Sequence, residues 1–121
     1  MEEYLNLIPV RNEKIKLRKI DGKYYLLIPM DSMLDFLARK LHGDYRRIEL
    51  DEVGAYIWEL CDGRRTVREI GKALKTRFGD EVEPLYERLL VFLLNLHKRY
   101  LITFIKPNEE IENGDYHERS S

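Results

Sequence analysis

The chain carries a dense series of helix start and stop signals between residues 51 and 84, which limits the possible folds more than any other feature. Asp51 is suited to cap a first helix, and the Asp-Gly pair at 62–63 is suited to end it. Thr66 and Glu69 have the spacing of a capping box, which predicts that a second helix begins there. Gly79 is suited to end that second helix. The sequence therefore predicts short helices in quick succession in this half of the chain.

A third helix is predicted from Pro84, which suits a first helical turn, to about Tyr100. At 100° per residue its apolar residues form one stripe: Leu85, Leu89, Phe92, Leu93, Leu96 and Tyr100. Four more residues lie beside that stripe: Tyr86, Leu90, Leu94 and His97. Together they widen the apolar arc to about 200°, whereas burial on one side needs little more than about 100°. Either other elements cover both sides of this helix, or part of the arc lines a groove that receives a partner.

The first third of the chain predicts a β-hairpin. Residues 14–20 and 23–28 have the alternating apolar residues of two strands. Asp21-Gly22 between them is a strong signal for a two-residue hairpin turn. Pro29 is expected to end the second strand, because proline cannot donate to a sheet ladder.

Three further segments complete the predicted order of elements. Residues 32–43 have a short helical pattern, Tyr45 to Leu50 predict a third strand, and residues 101–105 suit a short closing strand. The order β-β-(α)-β-α-α-α indicates an α+β fold in which an N-terminal antiparallel hairpin and a third strand pack on three helices. This arrangement is like a winged helix-turn-helix, a shape that does not by itself determine a function.

The length of 121 residues predicts one domain with a tail. Residues 1–105 hold all the predicted elements. Residues 106–121 contain two basic and five acidic residues and few apolar ones, which is typical of a disordered acidic tail. An autoinhibitory role for this tail is the less favoured alternative.

Charge and hydropathy exclude several classes of protein. The chain has 21 basic and 22 acidic residues and a net charge of −1, which argues against nucleic-acid coats and polybasic membrane binders. Its start is acidic where a signal peptide would be basic, and no apolar run reaches transmembrane length. We therefore expect a cytoplasmic protein without a membrane partner.

Catalytic and metal-binding motifs are missing from the sequence. The three histidines, His42, His97 and His117, lie far apart and lack the spacing of metal ligands. The single cysteine, Cys61, falls on the apolar stripe of the first helix and is expected to be a small buried hydrophobe rather than a nucleophile. With no glycine-rich phosphate loop or nucleophile elbow, the sequence predicts no enzyme activity, no metal and no cofactor.

A winged-helix transcriptional regulator that binds DNA is the main alternative function. In such proteins the first turns of the recognition helix meet the bases and phosphates. Here those turns hold Glu83 and Glu87, which a phosphate backbone repels, and Arg88 is the one basic residue before Lys98. We therefore expect no specific affinity for duplex DNA.

Two parts of the chain resemble a known family. The run from Leu50 to Ile70 includes the pattern Leu-Cys-Asp-Gly-x-Arg-Thr-Val at 60–67, and the later stretches are Phe92–Leu96 and Tyr100–Ile102. They are similar to the family of the pyrroloquinoline quinone biosynthesis protein D (PqqD). The resemblance covers residues 50–105, and the N-terminal hairpin in general form.

The resemblance implies a recognition element for ribosomally made, post-translationally modified peptides. Such proteins bind the leader of a precursor peptide as an added strand and present it to a modifying enzyme, often a radical S-adenosylmethionine enzyme. The implied site is the third strand together with the widened arc of the third helix. Its residues would be Tyr45, Arg46, Arg47, Ile48, Glu49, Leu50, Tyr86, Leu90, Leu94 and His97. A small interaction subunit with no peptide client is a third, weaker possibility.

The chain departs from the family pattern in three places. The segment 30–43 is longer than the usual connection between the second and third strands. Tyr100 stands where the family commonly has a glycine near the end of the third helix. The acidic tail is an addition.

Overall fold

The computed structural model of the chain describes residues 2–29 and 45–107. Its elements in chain order are α1 (Glu2–Leu5), β1 (Ile8–Arg11), β2 (Lys16–Ile20), β3 (Lys23–Pro29), β4 (Tyr45–Leu50), α2 (Glu52–Leu60), α3 (Val67–Phe78), α4 (Leu85–Lys98) and β5 (Ile102–Ile105). A short 3₁₀ helix, Gly79–Val82, follows α3.

The described strands form two antiparallel sheets. β2, β3 and β4 form one sheet in that order, with Leu17 opposite Leu26 and Leu26 opposite Ile48. β1 pairs with β5, with Ile8 opposite Ile105, so this sheet ties the start of the chain to its last described strand. The three-stranded sheet therefore ends at β2 on one side and at β4 on the other.

The predicted hairpin and third strand are confirmed. Asp21 and Gly22 have φ angles of 53° and 82°, the left-handed conformation that a two-residue hairpin turn requires. β3 ends at Pro29, and β4 spans the predicted residues Tyr45–Leu50.

The boundaries of α2 and α3 also follow the predicted signals. The Asp51 carboxylate accepts a hydrogen bond of 2.7 Å from the Gly54 backbone N–H. Thr66 and Glu69 form the capping box in both directions, and Gly79 ends α3. These local hydrogen bonds satisfy backbone groups that a helix end would otherwise leave free.

The third predicted helix, α4, is slightly shorter than expected. It ends at Lys98 rather than at Tyr100, because Tyr100 has a φ of 63° that no α-helix continues. Pro84 occupies the N-cap rather than the first turn, and the Glu83–Pro84 peptide bond is cis. The predicted closing strand forms as β5.

Two elements, α1 and β1, were not predicted. Both belong to the N-terminal segment, and two contacts join this segment to α3. The Val67 backbone N–H donates to the Leu7 carbonyl, and Arg68 forms an ion pair with Glu2. The helical pattern at 32–43 and residues 108–121 of the predicted tail lie outside the described residues.

The core lies between the helices and both sheets. Its largest fully buried side chains come from every layer: Trp58, Leu26, Ile70, Leu74, Leu89, Leu93 and Ile102. The α+β class, with a hairpin and third strand packed on three helices, is confirmed. The winged-helix likeness and the division at residue 105 stay predictions.

Candidate functional site

The β4 strand lies at one edge of its sheet. Among the described residues it pairs with β3 alone, from Tyr24 opposite Leu50 to Pro29 opposite Tyr45. Backbone N–H and C=O groups of alternate residues therefore point away from β3. Such an edge offers hydrogen bonds to a further strand.

The two faces of β4 differ. Arg46, Ile48 and Leu50 lie on one face, opposite Ile28, Leu26 and Tyr24 respectively, and Leu26 and Leu50 are buried there. Arg47 and Glu49 lie on the other face. The Arg47 guanidinium is 5.2 Å from the centre of the Tyr25 ring, and Glu49 is 4.0 Å from the Lys23 ammonium. Arg46 is therefore the arginine on the core side of the strand.

A cleft of about 510 Å³ runs between β4 and the C-terminal half of α4; we call it the strand cleft. Its lining residues are Ile48, Glu49, Leu50, Phe92, Asn95, Leu96, Lys98 and Arg99. Phe92 and Asn95 share one face of α4, because they are three residues apart, and Arg99 is the residue that caps its end. The cleft thus has an apolar floor and a basic end.

A second cleft of about 470 Å³ lies among α2, α3 and α4; we call it the helix pocket. Its lining residues are Asp51, Val53, Gly54, Ile57, Leu74, Val82, Pro84, Leu85, Glu87, Arg88, Leu89, Val91, Phe92 and Asn95. Phe92 and Asn95 line both clefts, so the helix pocket continues the strand cleft along α4. Gly54 allows this close packing, since a Cβ there would lie 3.2 Å from the Phe92 ring.

Three of the four helix residues predicted for the site are engaged elsewhere. The Tyr86 hydroxyl donates to the Arg68 carbonyl at 3.1 Å, with its ring against α3. Leu90 is buried in the core. The His97 ring is 5.1 Å from the Phe104 ring of β5.

The remaining residue, Leu94, is 38% exposed but lines neither cleft. Of the six predicted strand residues, Ile48, Glu49 and Leu50 line the strand cleft. The structure therefore brings β4 together with a different face of α4 from the one predicted. The peptide-binding roles of all ten residues stay predictions.

Five residues that line the strand cleft are not among the predicted site residues: Phe92, Asn95, Leu96, Lys98 and Arg99. Asn95 is an exposed polar residue within a run of leucines on α4, and that contrast is the signal that the sequence offers. An amide side chain supplies both a donor and an acceptor. The helical periodicity places Phe92 and Leu96 on the core stripe of the helix, whereas both also line the strand cleft.

The start of α4 is acidic and internally bonded. A Glu83 carboxylate oxygen accepts from the Leu85 backbone N–H at 3.0 Å, and the other accepts from the Lys75 ammonium at 2.6 Å. The Arg88 guanidinium donates to the carbonyls of Glu81 and Glu83. Lys75 and Arg88, the cations that the described residues place at this end of α4, are thus already bonded within the protein, and the expected lack of affinity for duplex DNA stays a prediction.

Cys61, the cysteine of the chain, caps the C-terminal end of α2. Cys61 is buried, and this burial raises the pKa of its thiol to about 12, so the thiol stays protonated at neutral pH. Within residues 2–29 and 45–107, no three His, Cys, Asp or Glu side chains are grouped to hold a metal ion.

None of the helices in the described part of the chain is long and apolar enough to cross a membrane.

Comparison with protein families gives a match that covers this part of the chain. The family model described as Coenzyme PQQ synthesis protein D (PqqD) matches residues 37–102, more than half of the chain. The matched range includes β4, α2, α3, α4 and therefore both clefts. Comparison with curated proteins gives no match, and neither does comparison with solved structures.

Proposed function

The chain belongs to the PqqD family, and on that premise we propose that it binds the leader of a ribosomally made precursor peptide and presents it to a modifying enzyme. Membership of the family implies that the protein takes part, as a peptide-binding component, in the biosynthesis of pyrroloquinoline quinone or of modified peptides. Its members are non-catalytic accessory proteins. We extend that role to this chain: it contributes recognition, and the partner enzyme, of the radical S-adenosylmethionine class, contributes the chemistry.

The observation that carries the proposal is the position of the β4 edge above the apolar floor of the strand cleft. An extended peptide that adds to β4 gains backbone hydrogen bonds, which fix its register. These bonds carry little sequence information, because every peptide has the same backbone. Side chains of the client that reach Leu50, Phe92 and Leu96 would supply the selectivity.

Asn95 suits a second role in the same complex. A peptide paired with β4 leaves the N–H and C=O groups of its outer edge without a partner from the sheet. The Asn95 amide stands on α4 across the strand cleft and has no hydrogen-bond partner among the described residues. It could donate to or accept from that outer edge.

The expected affinity is moderate. Burying one or two apolar side chains contributes about 1.5–3 kcal/mol each, and ordering a flexible peptide takes back part of that gain. We therefore expect dissociation constants in the micromolar range.

The test uses a phage-displayed library of random short peptides, selected on the immobilised protein. A selected peptide, made synthetically, is then titrated into ¹⁵N-labelled protein. We expect amide shifts along Arg46–Leu50 and along the α4 residues of the strand cleft. Shifts confined to the β2–β3 turn, or no saturable shifts with any selected peptide, would contradict the proposal.

A pair of neighbouring variants sharpens this test. Asn95→Trp puts an indole into the strand cleft and should weaken peptide binding about tenfold or more. Leu94→Trp changes the preceding residue, which belongs to the helix face predicted from the sequence but lines neither cleft. If the peptide lies in the strand cleft, this variant should bind as the unaltered protein does, whereas weaker binding would favour the predicted face. Both positions are exposed, so both variants should keep the melting temperature of the parent.

A further inference from the structure

The strand cleft and the helix pocket form one continuous groove along α4, and the end of this groove at the strand cleft is basic. Arg46, Lys98 and Arg99 are exposed at the strand cleft or on the face of β4 beside it. None of the three forms an ion pair with a carboxylate of the described residues. Glu49, which also lines the strand cleft, lies 4.0 Å from Lys23. This end therefore favours a negatively charged side chain of a ligand.

The opposite end of the groove is apolar. The helix pocket has a buried floor that includes Ile57, Leu74 and Leu89, and Val91 at its rim is 60% exposed. Its volume of about 470 Å³ is within the range of about 300–1,000 Å³ that is usual for ligand pockets.

Two of the three charged side chains that line the helix pocket already have partners, and the third, Glu87, is exposed. The Asp51 carboxylate accepts from the Gly54 backbone N–H, and the Arg88 guanidinium donates to the Glu81 and Glu83 carbonyls. The pocket is therefore suited to a bulky apolar side chain rather than to a charged one.

The two ends have a fixed order along the chain. β4 runs from Arg46 at the basic end to Leu50, and Asp51 then leads into α2, whose residues line the helix pocket. All strand pairs of this sheet are antiparallel, and antiparallel pairing is the slightly more stable kind. A peptide added antiparallel to β4 would begin near Leu50 and end near Arg46.

Resting on the proposed function, we propose that the client carries a bulky apolar residue just before its paired segment and an acidic residue towards the end of that segment. The apolar side chain fills the helix pocket. The acidic side chain meets Arg46, Lys98 and Arg99. The groove would therefore select the N-to-C direction of the bound peptide as well as its composition.

The first experiment compares peptide order. Random short peptides displayed on phage are selected on the protein, and one selected peptide is synthesised both as selected and in reversed order. We expect an apolar residue to be enriched before an acidic one, and the reversed peptide to bind at least about tenfold more weakly.

The second experiment tests each end separately. Reversing two charges, with Lys98→Glu and Arg99→Glu together, should weaken the selected peptide about three- to tenfold and reduce its salt dependence. Lys72→Glu, at an exposed position of α3 that lines neither cleft, is the charge control.

The apolar end is tested with Val91→Glu, which should weaken binding of the selected peptide about tenfold. The same variant should have little effect on binding of a peptide in which alanine replaces the apolar anchor. Ile20→Glu, at an exposed apolar position of β2 that lines neither cleft, is its control.

The outcomes separate the two proposals. Selected peptides that shift the β4 amides but show no apolar-before-acidic order, or the opposite order, would overturn this inference and leave the proposed function standing. The inference is also wrong if Val91→Glu and the double charge reversal bind as their controls do. If no selected peptide shifts the β4 amides, both proposals fail.

Discussion

Tyr100 is the residue whose backbone conformation fits its side chain least well. Its φ is 63°, in the left-handed region, although its side chain is 86% exposed and packs against little. The conformation is required because the Tyr100 and Leu101 backbone N–H groups donate to the His97 and Leu96 carbonyls and close the end of α4. Glycine, which is common at this position in the family pattern, adopts it without steric cost.

Tyr100→Gly should therefore stabilise the protein. The left-handed conformation costs a residue with a Cβ about 1–2 kcal/mol, and the extra freedom of glycine in the unfolded chain returns part of that. We expect the free energy of unfolding, measured by urea titration, to rise by about 0.5–1 kcal/mol. Tyr100→Ala keeps the Cβ and should show no such gain. Equal stabilisation by both variants would mean that the tyrosine ring, not the backbone, is responsible.

At the scale of elements, α3 and α4 meet at Gly71 and Tyr86. A Cβ built on Gly71 would lie 2.3 Å from Cε1 of the Tyr86 ring and 2.8 Å from its hydroxyl oxygen. The same hydroxyl donates to the Arg68 carbonyl one turn earlier on α3. The glycine is therefore needed for close approach, and it is the reason that Tyr86 is engaged with α3.

Gly71→Ala should destabilise the protein by about 1–3 kcal/mol, because the Tyr86 ring has to move. In a Tyr86→Ala background the same change should instead stabilise by up to about 1 kcal/mol, since alanine is the better helix former. Chemical denaturation of the four proteins of this cycle measures the reversal. Equal losses in both backgrounds would show that Tyr86 does not set the cost.

The end of α3 is joined to the start of α4 by an exposed charge cluster. Lys75 donates to Asp80 at 2.8 Å and to Glu83 at 2.6 Å. The hydrogen bonds from Lys75 hold the pKa of both carboxyls below their ordinary values of 3.8 and 4.5. Groups with a lowered folded-state pKa stabilise the fold above their ordinary pKa and lose that contribution as the pH falls through the lowered value.

Lys75→Met should therefore reduce the loss of stability on acidification. We expect its melting temperature to fall less than that of the parent between pH 7 and pH 3, and the effect to be small because the cluster is exposed. Lys72→Met, on the same helix, should follow the parent. A parallel acid profile for the Lys75 variant and the parent would show that the cluster does not contribute to stability.

The elements that the sequence predicts correctly are those defined by hydrogen bonds over a few residues. Asp51 and Thr66 bond the helix ends three residues ahead, and Asp21-Gly22 sets its turn locally. β1 lacks such a signal, because Pro9 interrupts it and its partner β5 lies at the other end of the described chain.

Local signals in the sequence predict the strand of the candidate site but not the helix face that lies beside it. The edge position of β4 follows from the order of hairpin and third strand. The face of α4 that borders β4 depends on how three helices pack, which periodicity alone does not determine. Leu90 is used by the core and Phe92 borders the cleft, although both belong to one wide apolar arc.

At the scale of the whole molecule, the two ends of the described chain close the fold together. Pairing of β1 with β5 holds the N-terminal segment against the helices, and the Arg11 backbone N–H donates to the Cys61 carbonyl at 2.9 Å. Leu101 and Ile102, at the start of β5, are buried. The residues after β5 therefore follow a strand whose four residues all pair with β1.

A chain ended at Ile105 should keep the melting temperature of the full protein, since the predicted domain, residues 1–105, retains every described strand and helix. Its last strand would still pair with β1, and the removed residues 106–121 have the composition of a tail that buries little apolar surface. A chain ended at Leu101 is the matched control, because it loses β5 and the buried Ile102, and it should melt at a much lower temperature. Scanning calorimetry of the three proteins makes the comparison. A drop of more than about 4 °C on cutting at Ile105, or about 1 kcal/mol, would mean that the acidic tail packs on the domain.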